Sequence, residues 1–490
     1  MIRISDKLQL IGSSFFSQGL RIATTLVMAR LLSPDDYGAY MLVLALPALV
    51  GAMGDFGIPT TLVQLKNESE EAIVDTAFVL GTLLYIVYGC LTIAGGIYLS
   101  MTYDDPRLIV VAIISASSNL LTAWYNIQLA VLNRRMDFRA ESKQNLWFSI
   151  STAGAGVALA FAGLGVYALA LQLLVGQLIA NFAVLRLSPL RWPRQFSMPL
   201  AKTYFGLGGK VSLALYVSNV QGSIANLIVN HMGGQVALGA WGRTTQVQAM
   251  FGQNLLSSFE RVLYPLLCRA VDDPDRRRDL FVRSLLLLML PSAFACVWLI
   301  AGREAMVRLV LGPQWTMVPP LLLIAALAIP ANAFGSMGYR MAYAMGRTDL
   351  MLRAGFIDLI LFFPMLGIVW SYGVPGIAAA WVFGRFLTTT LVLAGLWREI
   401  NVPTRYLFGQ MLRLAFCAVS AGLAMAWGAA WLESALPGMN LLLRFITMSV
   451  AGFILYIALV LLIQRDLIRS AMQLSRTRAA TPEAMTGSTN

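Results

Sequence analysis

Apolar residues run along this chain in long blocks, with short polar gaps between them, from Leu10 to Ile463. Most blocks are about 20 residues long, and a helix rising 1.5 Å per residue then crosses the roughly 30 Å hydrocarbon core of a bilayer. Backbone in lipid must satisfy its own hydrogen bonds, and runs of this length do so as helices. The pattern predicts fourteen spanning segments: 10–32, 39–58, 76–100, 108–132, 145–163, 166–186, 206–230, 236–260, 284–301, 318–345, 350–371, 375–397, 408–432 and 441–463. The expected fold class is an all-α polytopic membrane protein.

Superposed on the blocks is a weak repeat. A shift of 201 residues sets Gln18 on Asn219, Gly38 on Gly239, Ala39 on Ala240 and Tyr40 on Trp241. It also lays segments 1–6 on 7–12. Internal repeats of this kind are common in transporters, with the substrate site at the repeat interface. The chain is accordingly expected to form two pseudo-symmetric six-helix lobes, 1–200 and 201–400. Residues 401–490 add two accessory helices and a tail.

Composition agrees with the pattern. The 490 residues are 58% hydrophobic and 12% charged, whereas soluble domains carry about 25% charge. No soluble domain fits in the gaps. Leu10–Leu32 is too long for a cleavable signal peptide, contains Arg21 and lacks a small-residue cleavage site. The net charge of +12 would suggest nucleic acid in a soluble chain, but here its placement matters more. Basic residues crowd one set of loops, with Arg134, Arg135, Arg139 and Lys143 in one and Arg269, Arg276, Arg277, Arg278 and Arg283 in another. The opposite loops hold only Arg107, Arg303 and Arg308. By the positive-inside rule both termini are cytoplasmic, and no nucleic-acid partner is expected.

Polar residues inside the spans carry the candidate chemistry. Arg21 lies near the middle of the first segment, where a charge costs about 2.5–3.5 kcal/mol on insertion scales. Ser14, Ser17/Gln18, Arg21 and Thr24/Thr25 recur at helical spacing and share one face. Similar stripes run along the fourth segment (Ser115, Ser118/Asn119, Thr122, Tyr125/Asn126), the seventh (Ser212, Tyr216, Asn219, Ser223, Asn226, Asn230), the eighth (Arg243, Gln246, Gln253/Asn254, Ser257) and the tenth (Asn332, Ser336, Arg340). Any single stripe reads well as interhelical glue. Five stripes that include Arg21, Lys210 and Arg243 fit better with a wet, cationic cavity. The substrate-binding candidates are Arg21, Gln18, Lys210, Asn219, Arg243 and Gln246. Intramembrane acids are few: Asp358 and Asp55 are candidates for ion coupling, and Asp358 reads equally as the partner of Arg385.

Several other functions are excluded. Gly206–Lys210 looks superficially like a phosphate loop, but Tyr204 and Val211 stand where that motif needs glycine and Ser/Thr. The four cysteines have neither metal-ligand nor redox spacing, so no metal, cofactor or disulfide is expected. Asp35-Asp36 and Asp104-Asp105 sit in short turns and read as turn residues, not as the paired acids of an enzyme.

Certain stretches resemble a known family. Leu31-Leu32-Ser33-Pro34-Asp35-Asp36-Tyr37-Gly38-Ala39-Tyr40 and Gly54-Asp55-Phe56-Gly57-Ile58 resemble the opening of bacterial polysaccharide transporters of the Wzx type. Ala130–Phe138 and Leu309–Trp315 resemble two of that family's loops. The resemblance implies the multidrug/oligosaccharidyl-lipid/polysaccharide superfamily, with two six-helix lobes in a V around a central cavity. It implies a non-enzymatic flippase in the bacterial inner membrane. The expected substrate is an undecaprenyl-diphosphate-linked oligosaccharide for exopolysaccharide, O-antigen or capsule synthesis. The bilayer and a polysaccharide polymerase/export complex are the expected partners. A cation-coupled multidrug exporter of the same superfamily, or a membrane polymerase or ligase, is the alternative.

Overall fold

The computed structural model describes residues 4–50, 57–65, 69–185 and 193–464. Among the described residues the chain is helical and contains no strand. It divides into two compact units, Met1–Gly242 and Arg243–Asn490.

The first unit contains α1 (Ile4–Leu31), α2 (Pro34–Val50), the short α3 (Ile58–Gln64), α4 (Glu70–Tyr103), α5 (Arg107–Arg134), α6 (Phe138–Phe161) and α7 (Val166–Leu185). The long α8 (Met198–Arg269) begins in this unit and is broken at Gly234, whose φ of 70° and ψ of −173° no helix can hold. That left-handed φ is open to glycine at no steric cost, which is why the break falls there. Helix α4 packs along α5, α6 along α7, and α1 along α6. One apolar core joins Ile58 and Leu62 of α3, Ile73 and Ala77 of α4, Ile127 and Val131 of α5, and Tyr204 at the start of α8. The Tyr204 hydroxyl is buried and donates to the Ile73 carbonyl at 3.0 Å, so the core keeps no loose polar end there.

The second unit contains α9 (Pro274–Val310), α10 (Val318–Ala325), α11 (Ala328–Ala344), α12 (Thr348–Val369), α13 (Gly373–Ile400), α14 (Thr404–Ala435) and α15 (Leu441–Ile463). Its core threads Phe281, Leu285 and Leu288 of α9 through Met337 and Met341 of α11, Leu393 and Leu396 of α13, and Leu414 and Cys417 of α14. Helix α14 packs on α9, and α15 is fastened to α9 by directional bonds. Trp298 Nε1 donates to Ser449 Oγ at 2.9 Å, and Tyr456 donates to the Leu290 carbonyl at 2.7 Å.

Eight helical stretches among the described residues are long and apolar enough to cross a membrane. Helix ends depart from the hydropathy reading in a consistent way. Helix α9 begins ten residues before the predicted 284, because Asp273 accepts from the backbone of Asp275 and Arg276 and Pro274 opens the first turn. It also runs on to Val310, so Arg303 and Arg308, predicted in a loop, lie on the helix. The predicted segment 318–345 is interrupted between α10 and α11. Hydropathy marks the apolar middle of a helix, whereas capping residues in the polar flanks fix its ends.

Candidate functional site

Helix α1 presents its arginine openly. Arg21 is exposed, and its Nη2 donates to Gln18 Oε1 one turn earlier at 2.8 Å. No carboxylate pairs with it among the described residues. A guanidinium has five N–H donors, so most of its capacity is unspent. The neighbouring Thr24 hydroxyl is turned back onto the Leu20 carbonyl at 2.8 Å. On this helix the charge is exposed and the Thr24 hydroxyl is used locally.

The second unit treats its arginine differently. Arg243 is only 6% exposed. Its Nη1 bonds Gln246 Oε1, and its guanidinium carbon lies 5.8 Å from the ring centroid of Trp315. Trp315 is itself buried, so the cation rests on an aromatic face in a dry setting. Gln246, by contrast, is exposed. One turn further on, a β-carbon placed at Gly252 would lie 3.1 Å from Gln248 Nε2 and 3.9 Å from Asn332 Nδ2. Amides from α8 and α11 therefore converge beside a residue with no side chain, and the buried Gln248 Nε2 has no hydrogen-bond partner among the described residues.

Asp358 of α12 is buried at 6% exposure. Arg385 of α13 stacks over Trp381 at 5.4 Å, and Tyr339 of α11 lies within electrostatic reach of both Arg385 and Asp358. The side chains of Lys210 and Asn219, and Asp55 as a whole, lie outside the described residues.

The fourth segment's stripe, on α5, is consumed as packing. Gln177 of α7 donates to Thr122 Oγ1 at 3.2 Å, and Asn181 donates to the Leu121 carbonyl at 3.1 Å. The Tyr125 hydroxyl donates to Asn145 Oδ1 of α6 at 2.8 Å. Thr122 and Tyr125 thus meet partners on neighbouring helices, which is the glue role, whereas the buried Ser115 Oγ and Asn119 Nδ2 have no hydrogen-bond partner among the described residues.

One constellation escaped the sequence reading. Asp36 and Asp104 do behave as turn residues. Asp36 Oδ2 accepts from the Ser33 amide at 3.0 Å while Ser33 Oγ accepts from the Asp36 amide at 3.1 Å, a reciprocal cap opening α2. Asp104 ends α4 in the left-handed conformation. Asp35 and Asp105 instead share Arg107. Arg107 Nη2 lies 2.9 Å from Asp35 Oδ2 and 2.9 Å from Asp105 Oδ2, and Gln235 Nε2 donates to Asp105 Oδ2 at 3.0 Å. Burial alone would push the Asp105 carboxyl up, but the hydrogen bonds from Arg107 and Gln235 outweigh it and hold it below the usual carboxylate range. No local motif signals this cluster, since its members come from three separate stretches of chain.

A family model described as "Polysaccharide biosynthesis protein" matches residues 27–320, more than half of the chain. The chain belongs to the polysaccharide biosynthesis protein family. It is 25% identical over 485 residues to the succinoglycan biosynthesis transport protein ExoT of Rhizobium meliloti (strain 1021), covering 94% of this chain and 93% of that one. It is 21% identical to the lipopolysaccharide biosynthesis protein WzxC of Escherichia coli (strain K12), over 76% of each chain. In fold, this polysaccharide biosynthesis protein is similar to the lipid II flippase MurJ in an inward closed conformation. That match has a TM-score of 0.72 at 13% identity, over 94% of this chain and 100% of MurJ. It is also similar to an inward-facing MATE-family multidrug resistance transporter of the MOP superfamily. There the TM-score is 0.60 at 13% identity, over 79% of this chain and 94% of that one. The family member described here is therefore a multi-pass membrane protein with a fold like that of MurJ and of a MATE-family transporter.

Proposed function

We propose that this protein flips lipid-linked oligosaccharide repeat units from the cytoplasmic to the periplasmic leaflet of the bacterial inner membrane. It acts as a transporter, not an enzyme. The observation that carries the reading is Arg21, an exposed guanidinium on an apolar helix with no carboxylate partner among the described residues. Such a group at membrane depth is costly unless it serves an anion, and a diphosphate matches its planar fork. The names of ExoT, WzxC and MurJ point the same way.

In this reading the carrier is undecaprenyl diphosphate. Arg21 and Gln18 meet the diphosphate first. Arg243, held on Trp315 and Gln246, is a reserve cation that engages when the protein changes conformation. Lys210 and Asn219 belong to the same pathway. Amides such as Gln248 and Asn332 serve sugar hydroxyls. Fourteen crossings place both termini in the cytoplasm, and two six-helix lobes (1–200 and 201–400) alternate access while residues 401–490 are accessory.

Buried Asp358 favours a second reading, a cation-coupled multidrug exporter, in which Asp358 and Asp55 bind the coupling ion. Deleting the gene in its host separates the two. The flippase reading expects lipid-linked repeat units to build up on the cytoplasmic leaflet and surface polysaccharide to vanish, both restored by the wild-type gene. Normal polysaccharide with raised sensitivity to cationic drugs would favour the exporter.

A further inference from the structure

At one end of the second unit, α9, α14 and α15 enclose a cavity of about 430 Å³ that the flipping pathway does not use. It lies among residues 301–308 of α9, 425–433 of α14 and 441–449 of α15. Its rim carries three arginines, Arg303, Arg308 and Arg444, and two carboxylates, Glu304 and Glu433. Arg444 is held by Glu433 at 3.0 Å, and Arg303 stands 4.0 Å from Glu304 while donating to the Ile300 carbonyl at 2.8 Å. Arg308 is exposed and has no partner among the described residues. The rim thus keeps one positive charge in excess.

The floor is apolar. Met425, Phe445 and Met448 line it, and the Phe445 ring lies so close to Gly302 that a β-carbon there would sit 2.8 Å from a ring carbon. The exposed Trp431, in the last turn or so of α14, marks the depth of this end, since tryptophans gather at membrane–water interfaces. A cationic rim over an apolar floor at that depth is complementary to a lipid headgroup. Pockets of a few hundred Å³ are the ordinary size for a small ligand.

We propose that this cavity binds the phosphodiester headgroup of an anionic phospholipid, of the phosphatidylglycerol type, drawn from the leaflet at this end of α9. One phosphodiester carries one negative charge and neutralises the single excess cation. Arg308, with its donors unspent, is the first contact, and Arg444 is the second. The glycerol and first acyl carbons rest on Met425, Phe445 and Met448.

The test uses the full-length protein, purified in mild detergent and read by native mass spectrometry. Phosphatidylglycerol, phosphatidylcholine, sn-glycerol 3-phosphate and a polyprenyl monophosphate are titrated in turn. The expected result is one phosphatidylglycerol retained per protein with little phosphatidylcholine. Arg308→Gln combined with Arg444→Gln should weaken phosphatidylglycerol retention by about tenfold. Arg308→Gln alone breaks no internal contact, and should weaken it by about threefold while melting like wild type. Glu433→Gln should strengthen retention. Equal retention of both phospholipids, or wild-type retention in Arg308→Gln and the double variant, would overturn the proposal. Displacement by glycerol 3-phosphate would point instead to a soluble-phosphate site, and preferential displacement by polyprenyl phosphate to a carrier site. Either would also overturn it.

Discussion

Gly38 and Gly239, the two residues that the 201-residue repeat superposes, are in contact with one another. A β-carbon at Gly239 would lie 1.9 Å from the Pro34 carbonyl oxygen and 3.0 Å from the Gly38 amide nitrogen. One at Gly38 would lie 1.7 Å from the Gln235 carbonyl oxygen. The first turns of α2 and of the second half of α8 therefore cross backbone to backbone, as small residues in membrane helices allow. The obstacle in each case is backbone, which cannot swing aside. Gly38→Ala and Gly239→Ala should each cost about 1–3 kcal/mol, seen as a lower melting temperature in detergent. Gly154→Ala on α6, where a β-carbon meets nothing within 4 Å, should melt no lower than wild type.

That crossing is locked by charge. Arg107→Ala leaves Asp35 and the largely buried Asp105 without their cation, and should lower the melting temperature more than Arg107→Lys does. The pH dependence has a definite sign. Asp105 has a depressed pKa in the folded protein, so its contribution is fully present above the ordinary carboxylate value of 3.8 and is lost as pH falls through the lower folded value. Wild-type stability should therefore lose the Asp105 contribution only below about pH 4. The difference between wild type and Asp105→Asn should hold from neutral pH down to that point and then shrink.

Glue and pathway residues should separate by readout. Asn181 spends its amide on the Leu121 and Gln177 carbonyls. Asn181→Ala should cost about 1 kcal/mol of stability, with export per protein molecule unchanged. A fall in export per molecule at normal abundance would move α5 and α7 into the pathway.

How much of this was legible in the sequence differs by feature. Helix positions were, because a twenty-residue apolar run in lipid has few alternatives. The Gly38–Gly239 contact was half legible: the repeat singled out both positions without showing that they touch. Arg21 and Arg243 looked alike as mid-span arginines, yet one is exposed and the other is packed on Trp315. That difference depends on a tryptophan 72 positions away, which periodicity cannot see. The Asp35–Arg107–Asp105–Gln235 cluster was illegible for the same reason, and its acids passed for turn residues. Asp36 was read correctly as a turn residue because its reciprocal cap with Ser33 is local.

Topology has a direct check in a background without native cysteines. Cysteines at Asp104 and Ser434, both exposed, should react with an impermeant thiol reagent in intact cells. Cysteines at Met136 and Asp272, also exposed, should react only after permeabilisation. The reverse pattern would invert the orientation.

The central claim is that Arg21 handles the anionic end of a lipid-linked oligosaccharide. The most direct measurement is the flipping rate per protein molecule in proteoliposomes loaded with lipid-linked repeat units from the host strain. Arg21→Ala should insert and melt as wild type does, because Gln18 is the only hydrogen-bond partner of Arg21 among the described residues. Its flipping should nevertheless fall by at least about tenfold, with partial recovery in Arg21→Lys, which restores the charge without the bidentate fork. A wild-type rate per molecule in Arg21→Ala would contradict the account.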